Sequence, residues 1–270
     1  MSDINQIISI IIPVFNESES IGRLLDEVIS VMGAHKFNFE LIVVNDGSKD
    51  DTHRVLQELT LKIKKLSVIC LRKNYGQTAA MAAGFDNSKG DIVITLDGDL
   101  QNDPNDIPKF ISEINNGYDL ICGWRFNRKD KLINRKIPSK IANKLIAQVT
   151  GLKLHDYGCS LKAFKKEIID DIKLYGELHR FLPVLANIEG ARIKEIKVNH
   201  RSRKYGSSKY GIDRTFRVLM DLLTVWFMTK FLTRPMYGFG FVGIISILIS
   251  LGMTSYLLVV KVLGEDIGNR

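Results

Sequence analysis

The sequence predicts an α/β fold: an open, mostly parallel sheet flanked by helices, followed by helical segments suited to a membrane. Three observations predict it. Short β-branched runs alternate with stretches of helical period over the first 123 residues. Polar, mostly acidic residues stand at the end of each run. Near the C-terminus, Met236 to Val260 pass 25 positions without a charge.

The first run, Ile7–Val14, is apolar almost throughout, as in a strand covered on both faces. Ile21, Leu24, Leu25, Val28, Val31 and Met32 then recur at helical period, and Asn16 with Glu19 reads as a capping pair at the start of that helix. Glu40–Asn45 is the second strand, Asp46-Gly47-Ser48 a turn and Thr52–Lys62 a helix. Leu66–Leu71 and Gln77–Asn87 repeat the pattern, followed by Asp91–Leu96, Ile107–Asn115 and a fifth strand, Asp119–Gly123. Such alternation implies right-handed βαβ crossovers. Ligands of open sheets bind at the carboxyl ends of the strands. Those ends carry Phe15-Asn16-Glu17, Asp46-Gly47-Ser48, Arg72-Lys73-Asn74 and Asp97-Gly98-Asp99, so one crevice should collect them.

The formal charge of +8 is local. Residues 1–191 hold 25 Lys/Arg and 25 Asp/Glu, residues 192–234 hold 11 against three, and the remainder balances. The charge-free stretch that follows would reach about 37 Å as a helix, enough to cross a hydrocarbon core of about 30 Å with tilt. Ahead of it, Ile212–Leu232 places Asp213, Arg214, Arg217, Asp221 and Thr224 on one side. Ile212, Phe216, Leu219, Met220, Leu223, Trp226 and Phe227 cover much of the rest. That is the pattern of a helix lying in the membrane interface, a helix packed on the soluble domain being the alternative. Ile7–Val14 is too short for a secretory leader and lacks a basic flank. With the positive-inside rule, this places the N-terminal part on the cytoplasmic side of the inner membrane. Anionic headgroups, at about 1 kcal/mol per basic residue, account for the collar better than nucleic acid does, so no nucleic-acid partner is expected. Cys70, Cys122 and Cys159 show no metal spacing and are expected to be reduced.

Asp97-Gly98-Asp99 carries the sharpest chemical signal. Two carboxylates two apart at a strand end can face one point, where their repulsion is relieved by a cation. Oxygen ligands favour Mg²⁺ or Mn²⁺; an ordinary acidic turn is the bland alternative. No G-x-x-x-x-G-K occurs and no G-x-G-x-x-G follows a strand, which argues against a P-loop NTPase or a dinucleotide enzyme. Asp46 can accept from a nucleobase N–H or cap the next helix.

Taken together, Pro13-Val14-Phe15-Asn16-Glu17, Val44-Asn45-Asp46-Gly47-Ser48-Lys49-Asp50 and Asp97-Gly98-Asp99-Leu100-Gln101 resemble family 2 glycosyltransferases of GT-A fold, a Rossmann-like, mixed, mostly parallel sheet. Gly123-Trp124-Arg125, Arg135 with Ser139, Asp156-Tyr157-Gly158-Cys159-Ser160, His179-Arg180-Phe181 and Arg203 to Tyr210 are similar to the polyisoprenyl-phosphate branch. The resemblance implies donor binding by Pro13, Phe15, Asn16, Glu17, Asp46, Asp97, Gly98, Arg203 and Lys209. It implies a Mg²⁺ or Mn²⁺ ion on Asp97, Asp99 and Gln101, and acceptor phosphate binding by Arg125, Arg135 and Ser139. Asp97, Asp99, Asp156 and Arg125 are the catalytic candidates. Asn45 departs from the second Asp of many relatives, which leaves the nucleobase contact open.

The implied reaction is metal-dependent, inverting transfer of a hexose from a nucleotide sugar (UDP-glucose type or GDP-mannose) to a membrane polyisoprenyl phosphate, for cell-envelope glycosylation. A processive polysaccharide synthase and a non-catalytic, membrane-anchored nucleotide binder are the alternatives. A lipid phosphate is largely dianionic near neutral pH, its second pKa being about 6, so the nucleophile needs no strong base. The expected organisation is a catalytic domain over 1–210, a juxtamembrane helix over 211–234, a span over 235–263 and a tail over 264–270. Relatives usually continue into a further span, so a longer natural chain is expected. Anionic lipids and a homo-oligomer through the membrane region complete the expected partners.

Overall fold

The computed structural model describes residues 6–126, 146–202, 213–231 and 234–263. The strands are β1 (Ile7–Val14), β2 (Asn38–Asn45), β3 (Leu66–Cys70), β4 (Ile92–Thr95), β5 (Leu120–Trp124), β6 (Lys162–Lys165) and β7 (Ile193–Lys197). The helices are α1 (Ile21–Ala34), α2 (Thr52–Lys62), α3 (Gln77–Asp86), α4 (Ile107–Asn115), α5 (Lys166–Asp171), α6 (Leu182–Ile188), α7 (Asp213–Phe231) and α8 (Pro235–Val262). The strands form one sheet in the order β3-β2-β1-β4-β6-β5-β7. All neighbours are parallel except β6, which runs antiparallel to both β4 and β5.

The five strands read from the sequence are present, with ends shifted by at most two residues. Ile8, Ile10, Ile12, Leu41, Val43, Ile92 and Ile94 lie in one buried cluster with Leu24, Leu25, Val28 and Met32 of α1 and Phe110, Ile111 and Ile114 of α4. The apolar stripe of each helix is thus the face it presents to the sheet.

The expected capping pair is a correction. The residue ahead of α1 is Ser20, whose hydroxyl donates to Glu17 Oε2 at 2.7 Å. Asn16 instead links the loops after β1 and β2: its N–H donates to Ser48 Oγ (2.9 Å) and its Oδ1 accepts from Lys49 N (2.8 Å). It does so with φ +56, a left-handed conformation that Asn tolerates better than most residues. Loop-to-loop pairing outcompetes the local cap.

The Asp46-Gly47-Ser48 turn depends on Gly47. Its φ is +65, and an added Cβ would lie 2.6 Å from Asn74 N and closer still to the Lys73 carbonyl carbon. The Lys73–Asn74 peptide cannot yield cheaply, so Gly47→Ala is expected to cost roughly 2–4 kcal/mol, combining left-handed strain with overpacking. Denaturant unfolding measures it, and a loss below about 1 kcal/mol would contradict the argument.

At the opposite end of the sheet, Asp119 ties together the starts of β5 and β7 and the end of β6. It accepts from Arg192 N (2.9 Å), Nε (3.0 Å) and Nη2 (3.2 Å), and pairs with Lys165 Nζ at 2.7 Å. The Arg192 guanidinium, followed by Lys165, holds its carboxyl well below the ordinary range. A depressed folded pKa contributes stability that is present above the unfolded value of about 4 and lost as pH falls through the folded one. Asp119→Asn is therefore expected to flatten the decline of unfolding free energy below about pH 4. Parallel acid limbs for the two proteins would refute this.

The chain divides into two compact units, Met1–Leu222 and Leu223–Arg270. In the second, α8 is 28 residues long with a mean hydropathy of 2.1 over its most apolar window, long and apolar enough to cross a membrane. Phe239, Phe241, Ile244, Ile247, Leu248 and Leu251 on it are exposed.

Candidate active site

The loops after β1, β2 and β4 meet at the carboxyl edge of the sheet. Asp46, 3% exposed, takes Tyr75 N (2.7 Å) on one oxygen and Gly76 N (2.9 Å) on the other. It thus holds the turn ahead of α3 and does not cap α2. Asn45 Oδ1 accepts from Ser48 N at 3.0 Å, so the departure from Asp still serves the turn. Gly98 permits close packing: a Cβ there would sit 2.7 Å from Val14 Cγ1 and 3.7 Å from Glu17 Cγ, which places Glu17 beside the Asp97–Asp99 pair. Pro13 and Phe15 lie half-buried at the same strand end.

Asp97 accepts from Gln77 Nε2 at 2.7 Å. Burial, then the charge of Asp99, pushes its carboxyl up from the ordinary range; a hydrogen bond from Ser160 and the charges of Arg125 and Lys162 act the other way. Ser160 Oγ in turn accepts from Asn102 Nδ2 at 2.7 Å. Asp99 accepts from Gln101 N at 3.1 Å. Between them Leu100 is buried at φ +63, a strain of about 1–2 kcal/mol that persists because its surroundings fix it. Residues 199–201 clamp the loop from outside. Arg201 Nη2 meets Asp103 Oδ1 (2.7 Å), Arg201 Nη1 meets Glu27 Oε2 (2.5 Å), and Arg201 N donates to Gln101 O (2.9 Å).

Two neighbouring carboxylates, one pushed up by burial and by the other's charge, fit a divalent cation. Among the described residues no set of three or more His, Cys, Asp or Glu side chains could hold a metal. Two carboxylates completed by substrate phosphates are the usual protein share of a Mg²⁺ site.

Arg125, at the end of β5, forms a bidentate pair with Asp156: Nε to Oδ2 at 2.7 Å and Nη2 to Oδ1 at 2.9 Å. Asp156 raises the Arg125 pKa further, against the effect of burial. The Nε–Nη2 edge is thus committed, and the Nη1–Nη2 edge points the guanidinium's second fork elsewhere. Sequence reasoning named Arg125 and Asp156 separately; the structure joins them. Arg135, Ser139, Arg203 and Lys209 lie outside the described residues.

Sequence reasoning missed Gln77, Lys162 and Glu195, and gave Ser160 no role. Lys162, 3% exposed on β6, donates to Cys159 O and sets a positive charge behind Asp97. Nothing marks it locally, because it sits among Lys165 and Lys166 in a segment that looks solvated. Cys122 and Cys159 are buried free thiols, pushed up to about 12 and about 11 respectively by that burial. They are inert at neutral pH.

The glycosyl transferase family 2 profile matches residues 9–173. The chain is 46% identical over 273 residues to the dodecaprenyl-phosphate galacturonate synthase of Rhizobium johnstonii, covering 97% of this chain and 79% of that protein. It is 38% identical to the undecaprenyl-phosphate 4-deoxy-4-formamido-L-arabinose transferase of Aeromonas hydrophila, with the same coverage of 97% and 79%. In fold it matches Mycobacterium tuberculosis glucosyl-3-phosphoglycerate synthase, solved with Mn²⁺ and UDP-glucose, at a TM-score of 0.63 and 17% identity over 83% of this chain and 79% of that one. The sheet order, its single antiparallel strand and the acidic pair at the end of β4 agree with the expected GT-A arrangement. The chain is a glycosyltransferase that belongs to family 2 and groups with the polyprenyl-phosphate sugar transferases.

Proposed function

We propose that the protein transfers a sugar from a nucleotide sugar to a membrane polyisoprenyl phosphate, inverting the anomeric centre. The observation that carries this is the Arg125–Asp156 fork placed in electrostatic reach of Asp97. A group that binds an anion stands beside carboxylates suited to a cation, so two phosphate-bearing substrates can approach without facing bare like charge.

Asp97 and Asp99 would hold Mg²⁺ or Mn²⁺, with Gln101 beside them, and the ion when bound would neutralise the nucleotide diphosphate as it departs. Pro13, Phe15, Asn16, Glu17, Asp46 and Gly98 line the donor side. Asp46, whose oxygens already hold backbone donors, shapes that wall more than it reads a base. Arg125 offers its second fork to the lipid phosphate, joined by Arg135 and Ser139, while Arg203 and Lys209 close on phosphates. Asp156 keeps Arg125 extended and supplies the counter-charge that makes a buried guanidinium tolerable. The acceptor phosphate attacks as it stands, so none of these carboxylates has to act as a strong base.

The relatives act on galacturonate and on 4-deoxy-4-formamido-L-arabinose, which widens the donor choice beyond glucose and mannose. We place residues 1–210 at the cytoplasmic face of the inner membrane, α7 at the interface and α8 across the bilayer. Exposed Leu223 and Trp226 on α7 support that placement. Incubating the full chain in nanodiscs with undecaprenyl phosphate, Mg²⁺ and a panel of UDP and GDP sugars tests the reading. One labelled lipid-phosphate sugar is expected; a lengthening polymer would indicate a processive synthase, and no lipid product with any donor would refute the proposal.

A further inference from the structure

β7 is the last strand of the sheet, and Glu195 within it lies in register with Cys122 of β5. Its carboxylate turns to the loop that carries Asp156. Oε1 accepts from Asp156 N at 2.8 Å, while Oε2 accepts from His155 N at 3.0 Å and lies 2.7 Å from His155 Nδ1. The side chain is 10% exposed.

Two consecutive backbone N–H groups held by one carboxylate fix the orientation of the peptide between them, and with it the direction in which Asp156 leaves the chain. Asp156 is then fully committed. Oδ2 takes Arg125 Nε and Arg125 N (3.3 Å), and Oδ1 takes Arg125 Nη2 and Gly158 N (3.1 Å). The loop is steadied from a second side by the His155 ring, stacked 4.0 Å from that of Trp124, the residue next to Arg125. An acidic residue this close to a site for anions would be adverse if its only task were to fill space. A glutamine has the same shape, but one end of its amide is a donor and would oppose a backbone N–H. Only a carboxylate accepts in both directions.

We infer that Glu195 is a positioning residue for acceptor binding: it sets the Asp156 loop, and through Asp156 it aims the guanidinium fork of Arg125 at the lipid phosphate. This rests on the reading of Arg125 as an acceptor-phosphate ligand. The chain of support runs from an edge strand to the site without Glu195 itself touching substrate.

The test measures two dissociation constants on the full chain in detergent micelles, one for undecaprenyl phosphate and one for UDP with Mg²⁺. Glu195→Gln is expected to weaken undecaprenyl phosphate about tenfold and UDP less than twofold, with a thermal midpoint near that of the parent. Arg125→Lys, which keeps the charge and loses the fork, is expected to weaken the lipid at least as much. The double variant should be no weaker than Arg125→Lys alone, because both act through one group. Equal weakening of both ligands, or independent, multiplying effects in the double variant, would overturn the inference. An unchanged lipid affinity in Arg125→Lys would overturn both this inference and the reading of Arg125. A loss there with no loss in Glu195→Gln would overturn this inference alone. Should Glu195→Gln fail to fold, His155→Ala, on a side chain 66% exposed, removes one of the three donors and is expected to weaken the lipid two- to threefold. No weakening there would also overturn it.

Discussion

Asp99→Asn is expected to lower turnover about a thousandfold, roughly 4 kcal/mol of transition-state stabilisation, while leaving the protein folded. The amide has nearly the shape of the carboxylate and can still accept from Gln101 N, so the loop with left-handed Leu100 keeps its support. What disappears is one of two negative charges. Asp97, freed from its neighbour's repulsion, loses one of the two influences that hold its carboxyl high. Steady-state turnover with saturating donor and Mg²⁺, alongside a thermal midpoint, separates chemistry from folding. Near-normal turnover would dismiss the metal assignment.

Arg125→Ala is expected to be the most damaging change to stability. It removes one member of a buried bidentate pair and leaves Asp156 charged with its main partner gone, at a cost of about 3–5 kcal/mol. For a unit of this size that corresponds to a fall in thermal midpoint of about 10 °C. The pairing also predicts a sign: adding Asp156→Ala to Arg125→Ala should recover part of the loss, because the orphaned charge goes too. Strict additivity of the two losses would show that the pair is not coupled as the geometry requires.

The first half of the fold was legible because its strands are buried on both faces. Ile7–Val14 and Leu41–Asn45 are apolar runs that no solvated segment would carry, and acidic turns punctuate them. β6 and β7 were not legible. Lys-Ala-Phe-Lys and Ile-Lys-Glu-Ile-Lys are short and charged, and only their neighbours make them strands. In the site, acidic residues at strand ends announced themselves by position. The Arg125–Asp156 pairing did not, since a separation of 31 positions gives no periodicity to read. Glu195 was hidden further, on a half-buried strand whose charged residues read as solvated.

The place of β6 in the sheet has a consequence for biogenesis. It lies between β4 and β5 yet follows both in the chain, so β5 cannot close on β4 as the ribosome releases it. A nascent chain that has reached Phe126 exposes two unsatisfied strand edges, the state in which intermolecular pairing is most dangerous. Only Lys162–Lys165 fills that gap, and β7 completes the row at Lys197. From there 37 residues remain before α8 begins at Pro235, roughly 2 to 7 s of synthesis at ordinary rates. The order of strands therefore gives the sheet time to seal before the apolar helix emerges, and a pause placed ahead of Lys162 would favour aggregation more than one placed after Lys197.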